Sequence, residues 1–171
     1  MREPQLEISV PTAIAGTASD QLEAFVSEHY SRLIRLAALV CRSVDEAEDV
    51  VQSALERAWR RRDALRDPTS LRPWLDRIVV REAIRTTHRR LTTVDELFLD
   101  RHGAETTEGM TALRIAFEQL SPDHRAAVVL HIYMGYPVAE AAAMLGTRTE
   151  TVRSRLRLAR ERLRHLLAEE G

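Results

Sequence analysis

VAEAAAMLGTRTETVRSRLRLARERLR, residues 138–164, decides the fold. An apolar octet opens behind Pro137 and stops at Gly146. Three residues later a second segment begins, rich in arginine and periodic in leucine. At about 100° per residue, Val152, Leu156, Ala159, Leu163 and Leu166 gather on one side of a helix. Glu150, Arg153, Ser154, Arg157, Leu158 and Glu161 fall on the other, with Arg160 and Arg164 on the flank beside Arg153 and Arg157. A short helix, a glycine turn and a basic amphipathic helix form a helix-turn-helix signature. In such a unit the first residues of the second helix reach base edges in the major groove.

The charge supports that reading. Seven arginines against Glu150 and Glu161 give residues 148–164 a local net of +5, while the 171-residue chain has a formal net charge of −1. The compensating acid sits elsewhere, around residues 45–49 and 95–108. Arginine suits base and phosphate recognition because its planar fork matches guanine O6 and N7 as well as phosphate oxygens. Every one of the 25 basic residues is arginine, which reflects GC-rich codon usage.

Working outward, the rest of the chain is also helical in pattern, and the fold class is all-α. Leu22, Phe25, Val26, Tyr30, Leu33, Ala37 and Val40 form the stripe of a first helix from about Asp20. Residues 43–62 predict a second helix. Ser43 and Glu46 have capping-box spacing, acids crowd its start and arginines its end, both favourable to the helix dipole. Ser70 is placed to cap a third helix carrying Leu71, Trp74, Leu75, Ile78, Val79 and Ile84. Trp74 belongs to its apolar side. That helix ends in REAIRTTHRR, residues 81–90, with a local net of +3. Residues 92–110 lose the period, turn acidic and read as a flexible linker, with a helical turn around Val94 to Phe98. A helix from about Thr111 follows. Ser121-Pro122-Asp123 opens the next, which carries Ala127, Leu130 and Tyr133 and can end at Gly135. Two small bundles result.

Composition excludes several classes. With 44% hydrophobic and 30% charged residues the chain can build a core. One cysteine, Cys41, rules out an internal disulfide and a thiolate metal cluster, and its place at the end of an apolar helix makes it a small core residue. No apolar run is long enough to cross a membrane, and residues 1–19 read as a loose tail without signal-peptide character. A reducing cytoplasm fits. The six histidines are scattered without a metal-ligand pair, so neither an enzyme nor a cofactor is expected.

Two stretches now match one family. EAEDVVQSALERAWRR followed by PWLDRI resembles region two of bacterial sigma factors, and residues 120–164, beginning LSPDHRAAVVLHIYMGYP, resemble region four. Both regions and little else between them is the layout of the extracytoplasmic-function group. The resemblance spans about residues 20–91 and 111–168, and the paired order makes it specific. It implies region two over 20–91, a linker over 92–110 and region four over 111–171. It also implies a subunit that binds core RNA polymerase and directs it to promoters.

The same resemblance implies the sites. Glu48, Asp49, Gln52 and Arg57 would face the β′ clamp helices, with the β flap as a second polymerase contact. Residues 64–70, with Arg66 and Asp67, match the loop that captures minus-ten bases. Arg85, Arg89 and Arg90 would hold backbone phosphates. Arg81 stands where the family commonly has asparagine and is assigned to phosphate. Arg148, Thr149, Glu150, Thr151, Arg153, Ser154, Arg157 and Leu158 would meet the minus-thirty-five element. Leu158 replaces a common arginine. Contact with a neighbouring helix or with a thymine methyl is open to it. An anti-sigma factor is a further partner the family admits. The competing reading is a stand-alone helix-turn-helix regulator with a helical sensor domain, which would bind duplex DNA without polymerase.

Overall fold

The computed structural model describes residues 18–65, 67, 70–93 and 108–169. The linker turn expected around Val94 to Phe98, nearly all of the tail, and Arg66 lie outside them. Seven α-helices run through the described residues, and these contain no strand. Helices α1 (Ala18–Cys41), α2 (Val44–Arg60) and α3 (Leu71–Thr93) pack against one another as the first bundle. Helices α4 (Glu108–Glu118), α5 (Pro122–Val128), α6 (Val138–Leu145) and α7 (Thr149–Glu169) build the second around α5 and α7.

Local chemistry sets the helix ends. Arg42 takes a left-handed φ of 72° and closes α1, and Ser43 then caps α2 by accepting from the Glu46 amide at 3.2 Å. Only that half of the expected capping box forms among the described contacts. Glu46 Oε1 instead accepts from Arg90 of α3 at 2.6 Å, tying the start of α2 to the end of α3. Ser121 caps α5 with Pro122 in the first turn. Beyond α5 the backbone widens into one π turn, Val129–Tyr133, where the Met134 amide reaches the Val129 carbonyl. The extra residue rotates the phase. Tyr133, expected on the buried face with Leu130, is 60% exposed beside exposed Ile132. Tyr30, expected in the α1 stripe, likewise lies at the surface.

The two bundles also meet. Helix α1 packs on α5, and α3 packs on both α5 and α6. One continuous apolar core results, running from Val40, Val51 and Val79 to Ala126, Leu130, Ala142 and Val152. Trp74 is half-buried against it, as expected. Cys41 is fully buried, as expected of a small core residue, and burial pushes its thiol up to about 11.

Candidate nucleic-acid interface

Gly146 places the arginine helix. It ends α6 at a left-handed φ of 67°, while the Gly146 and Thr147 amides return to the Ala143 and Ala142 carbonyls. Only two residues separate that turn from Thr149. Val152, Leu156 and Ala159 are buried, which fixes the rotation of α7, and Leu163 and Leu166 are half-buried. The opposite side is therefore presented to solvent. Arg148, Glu150, Arg153, Ser154 and Arg157 are exposed there, and Thr149 and Thr151 are half-buried. Arg153 pairs with Glu150 at 2.7 Å and Arg157 with Glu161 at 2.8 Å, both at the surface. Such pairs contribute only a few tenths of a kcal/mol each, about 0.3–0.5. A phosphate or a guanine can displace them.

Leu158 is 42% exposed on the other flank of α7. It lines an open groove with Gln119, Leu120, His124, Arg162 and His165. That surface faces the α4–α5 junction. Of the two roles open to Leu158, contact with neighbouring helices is the one its surroundings match. Arg155 also turns this way and pairs with Asp123 at 2.7 Å.

The α3 cations are more committed than the sequence suggests. Arg85 pairs with Glu82, a residue only 3% exposed. Arg57 of α2 reaches the same carboxylate at 2.5 Å and is half-buried. Glu82 thus bridges α2 and α3. Arg90 is half-buried on Glu46, and Arg89 is exposed. The Asp67 carboxylate accepts from the Ser70 hydroxyl at 3.1 Å, just ahead of α3. Arg81 departs most from expectation. Its Nε donates to the Met144 carbonyl at 2.7 Å and its Nη2 to the Ala143 carbonyl at 3.2 Å. The fork expected on a DNA phosphate is held in this structure by the end of α6.

The start of α2 offers a different surface. Glu48, Asp49 and Gln52 are all exposed, on the side opposite buried Ala47, Val50, Val51 and Ala54.

Three polar clusters escaped the sequence reading. Asp76, wholly buried in α3, accepts from Arg32 of α1 through both carboxylate oxygens, at 2.8 Å for Oδ1, and from the Tyr136 hydroxyl at 2.6 Å. Arg125, 2% exposed, donates to carbonyls of both bundles. Asp123 meets His88 at 2.8 Å as well as Arg155. The available signal was a carboxylate, Asp76, set between Leu75 and Val79 in the apolar part of a helix. No helix among the described residues is long and apolar enough to cross a membrane.

Comparisons with known proteins agree with this geometry. The sigma-70 region 2 model matches residues 25–92 and the sigma-70 region 4 model residues 110–163. The ECF RNA polymerase sigma factor SigM of Mycobacterium tuberculosis is 33% identical over 154 residues, covering 88% of this chain and 77% of the relative. SigL of the same species is 32% identical over 173 residues, 92% of this chain and 97% of the relative. Among solved structures, the sigma factor RpoE from Bartonella quintana, co-crystallised with the anti-sigma factor NepR, superposes with a TM-score of 0.70. It shares 27% identity, over 87% of this chain and 98% of that one. The two matches fall on the first bundle and the second, and the chain belongs to the extracytoplasmic-function sigma factors, the promoter-directing subunits of bacterial RNA polymerase.

Proposed function

We propose the following division of labour within this sigma factor. The exposed start of α2, with Glu48, Asp49 and Gln52, docks on the β′ clamp helices of core polymerase, and Arg57 supports that surface through Glu82. The loop through Arg66 and Asp67, with Arg85, Arg89 and Arg90 on α3, engages the minus-ten element and its phosphates. The outer face of α7, from Arg148 through Arg157, reads the minus-thirty-five element, and the second bundle meets the β flap. The observation that carries this is the pairing of an exposed acidic face on α2 with an exposed basic face on α7, each opposite its own buried stripe. The chain acts as a cytoplasmic initiation factor and performs no catalysis of its own. Its likeness to a sigma factor caught with NepR, and to CnrH caught with the cytosolic domain of CnrY, supports an anti-sigma factor as a further partner.

Transcription in vitro with purified core polymerase tests the whole reading. The chain alone should give no transcript, and with core it should give promoter-specific ones. Reversing Glu48 and Asp49 to arginine should weaken core capture in a pull-down while costing about 0.5 kcal/mol or less of stability per site, because neither touches the apolar core. Full capture by the reversed variant rejects the docking surface.

A second measurement separates the DNA contacts. Arg153→Ala and Arg157→Ala should each cost about 1–3 kcal/mol at promoters that depend on the upstream element, if the fork is bidentate on a base. Arg89→Ala should lower open-complex formation evenly across promoters and flatten the salt dependence. Selection from randomised promoters, sequenced for each variant, shows whether the base preferences move at the upstream element alone. A shift at both elements from either set breaks the two-module assignment.

A further inference from the structure

Arg77, Arg81, Arg85 and Arg89 stand four residues apart on α3. Each such step advances a helix by about 6 Å and turns it by roughly 40°, so the set forms a slowly turning ladder on one face. All of them are exposed, opposite buried Val79, Val80, Ala83 and Thr87. Two rungs are already engaged. Arg81 is held by carbonyls at the end of α6, and Arg85 by Glu82, one turn back on its own helix.

Glu82 is the odd residue on this helix. A carboxylate beside a cation that meets phosphate repels the phosphate, so on charge alone it weakens the site. Its side chain is 3% exposed, and stripping a charge of its water costs free energy. An apolar side chain would pack there at least as well. The geometry supplies an offsetting gain. Glu82 Oε1 accepts from Arg85 Nη2, and Oε2 lies 2.5 Å from Nη1 of Arg57, on α2. The carboxylate is thereby pinned from the neighbouring helix, and it passes that fixity to Arg85, whose side chain is 51% exposed. An unheld arginine samples many rotamers and gives up that freedom when it meets a ligand. One held by a pinned carboxylate gives it up on folding. The contact engages only one nitrogen of the fork, and a phosphate is met by the others.

We propose that Glu82 is a positioning residue for minus-ten binding: it holds the Arg85 guanidinium in the orientation that meets a backbone phosphate of the opened strand. The inference rests on the assignment of Arg85 to minus-ten phosphates above. Glu82 itself touches no DNA in this scheme and acts through Arg85.

The test follows the full chain, assembled with core polymerase, on a forked probe with a single-stranded minus-ten region, taken from a promoter the chain selects. The chain is in excess over core, so a weakened core contact does not enter. Affinity is measured across a salt series for the parent, Glu82→Gln, Glu82→Asp, Arg85→Ala, and Glu82→Gln combined with Arg85→Ala. Arg85→Ala should make the slope of log affinity against log salt shallower by about 0.7, one phosphate contact on a single strand. Glu82→Gln keeps the shape and removes the charge. It should weaken binding about threefold or more at low salt, make the slope shallower in the same direction, and have no further effect once Arg85 is alanine. Glu82→Asp keeps the charge with a shorter reach and should fall between the parent and glutamine. A misfolded fraction does not imitate this pattern, because it scales affinity equally at every salt concentration. Tighter binding by Glu82→Gln, as charge counting requires, overturns the proposal. So does an unchanged slope in Glu82→Gln, or a loss that persists in full when Arg85 is alanine. Those results sink the role of Glu82 alone. If Arg85→Ala itself leaves the slope unchanged, the phosphate assignment of Arg85 fails and takes the positioning role with it.

Discussion

Arg125→Ala should lose about 3–5 kcal/mol of folding stability, from carbonyls left short of a donor together with the void left by a large core side chain. Arg125 sits in the apolar core, and its hydrogen bonds go to carbonyls: Val40 through Nε, and Glu118 and Leu120 through Nη1. Val40 lies at the end of α1 and Glu118 at the end of α4. One guanidinium therefore closes the C-termini of two helices. The arrangement is costly to the charge. Burial, and after it the nearby Arg42 cation, pushes the Arg125 pKa down to about 10, which still leaves it charged at neutral pH. Alanine would leave three carbonyls, two of them buried, short of a donor and a void where the side chain lay. Lysine keeps the charge but cannot fork towards both helix ends, so it should recover only part of the loss. Guanidinium unfolding gives the energies. For a chain of this size the melting temperature should fall by about 6–20 °C with alanine. A melting curve within a degree of the parent's would mean that water replaces the guanidinium at no cost, and the capping account fails.

How much of this was legible in the sequence depends on how many sides of a helix are covered. Helices α2 and α7 each bury one stripe, so a single period gave their rotation. The buried residues Ala47, Val50, Val51, Ala54 and Ala58 on α2, and Val152, Leu156 and Ala159 on α7, are the ones the period selects. Helix α3 is different. Leu71, Leu75 and Val79 face one way, while Asp76, Val80, Ala83 and Thr87, also buried, extend the covered arc. That broad arc arises because α5 and α6 pack on α3 in addition to α1 and α2. A one-sided stripe was therefore the wrong template, and the polar residues on the second arc looked like surface. The π turn after α5 shows a second limit. Helical counting assumes a constant step, and one wide turn put Tyr133 outside.

The candidate site was legible where function asks for exposure opposite a stripe. The outer face of α7 and the acidic start of α2 follow from the same count that located the core. What the count could not give is which cations are already partnered. Arg57 and Arg90 meet glutamates brought close only by the packing of α2 on α3, whereas Arg85 meets Glu82 one turn away on α3 itself. Arg81 meets carbonyls some 60 residues away in the chain. A long arginine side chain reaches past its own helix, and beyond the i,i+3 and i,i+4 neighbours nothing local selects its partner. The asparagine that the resemblance leads one to expect at this position was the one visible hint that the side chain of Arg81 sits differently.

Asp76→Asn should cost about 3 kcal/mol, the low end of the loss for a broken buried ion pair. The carboxylate is fully buried, but its partner Arg32 retains 19% side-chain exposure, so the orphaned cation keeps a route to water. Asparagine preserves the shape of the side chain. It offers one acceptor oxygen where Arg32 needs two, and turns an amide donor towards guanidinium or phenol. Tyr136→Phe removes a single hydrogen bond to that carboxylate and should cost less, about 1.5 kcal/mol, the low end for a bond to a charged group. The phenol proton is held more tightly than usual, through burial first and the Asp76 hydrogen bond second, so tyrosine remains the donor across the physiological range. These two variants separate contributions that the structure superimposes. Arg32 and Asp76 both belong to the first bundle, whereas Tyr136 comes from the second. Asp76→Asn should therefore destabilise the first bundle itself, and Tyr136→Phe should weaken only its contact with the second. A double-mutant cycle with Arg32→Met checks the ionic part. Asp76→Asn should cost clearly less once Arg32 is gone, with a coupling of about 2 kcal/mol. Additivity within about 0.5 kcal/mol would show that the pair contributes no more than its separate contacts, and that the buried carboxylate is held by Tyr136 and its surroundings instead.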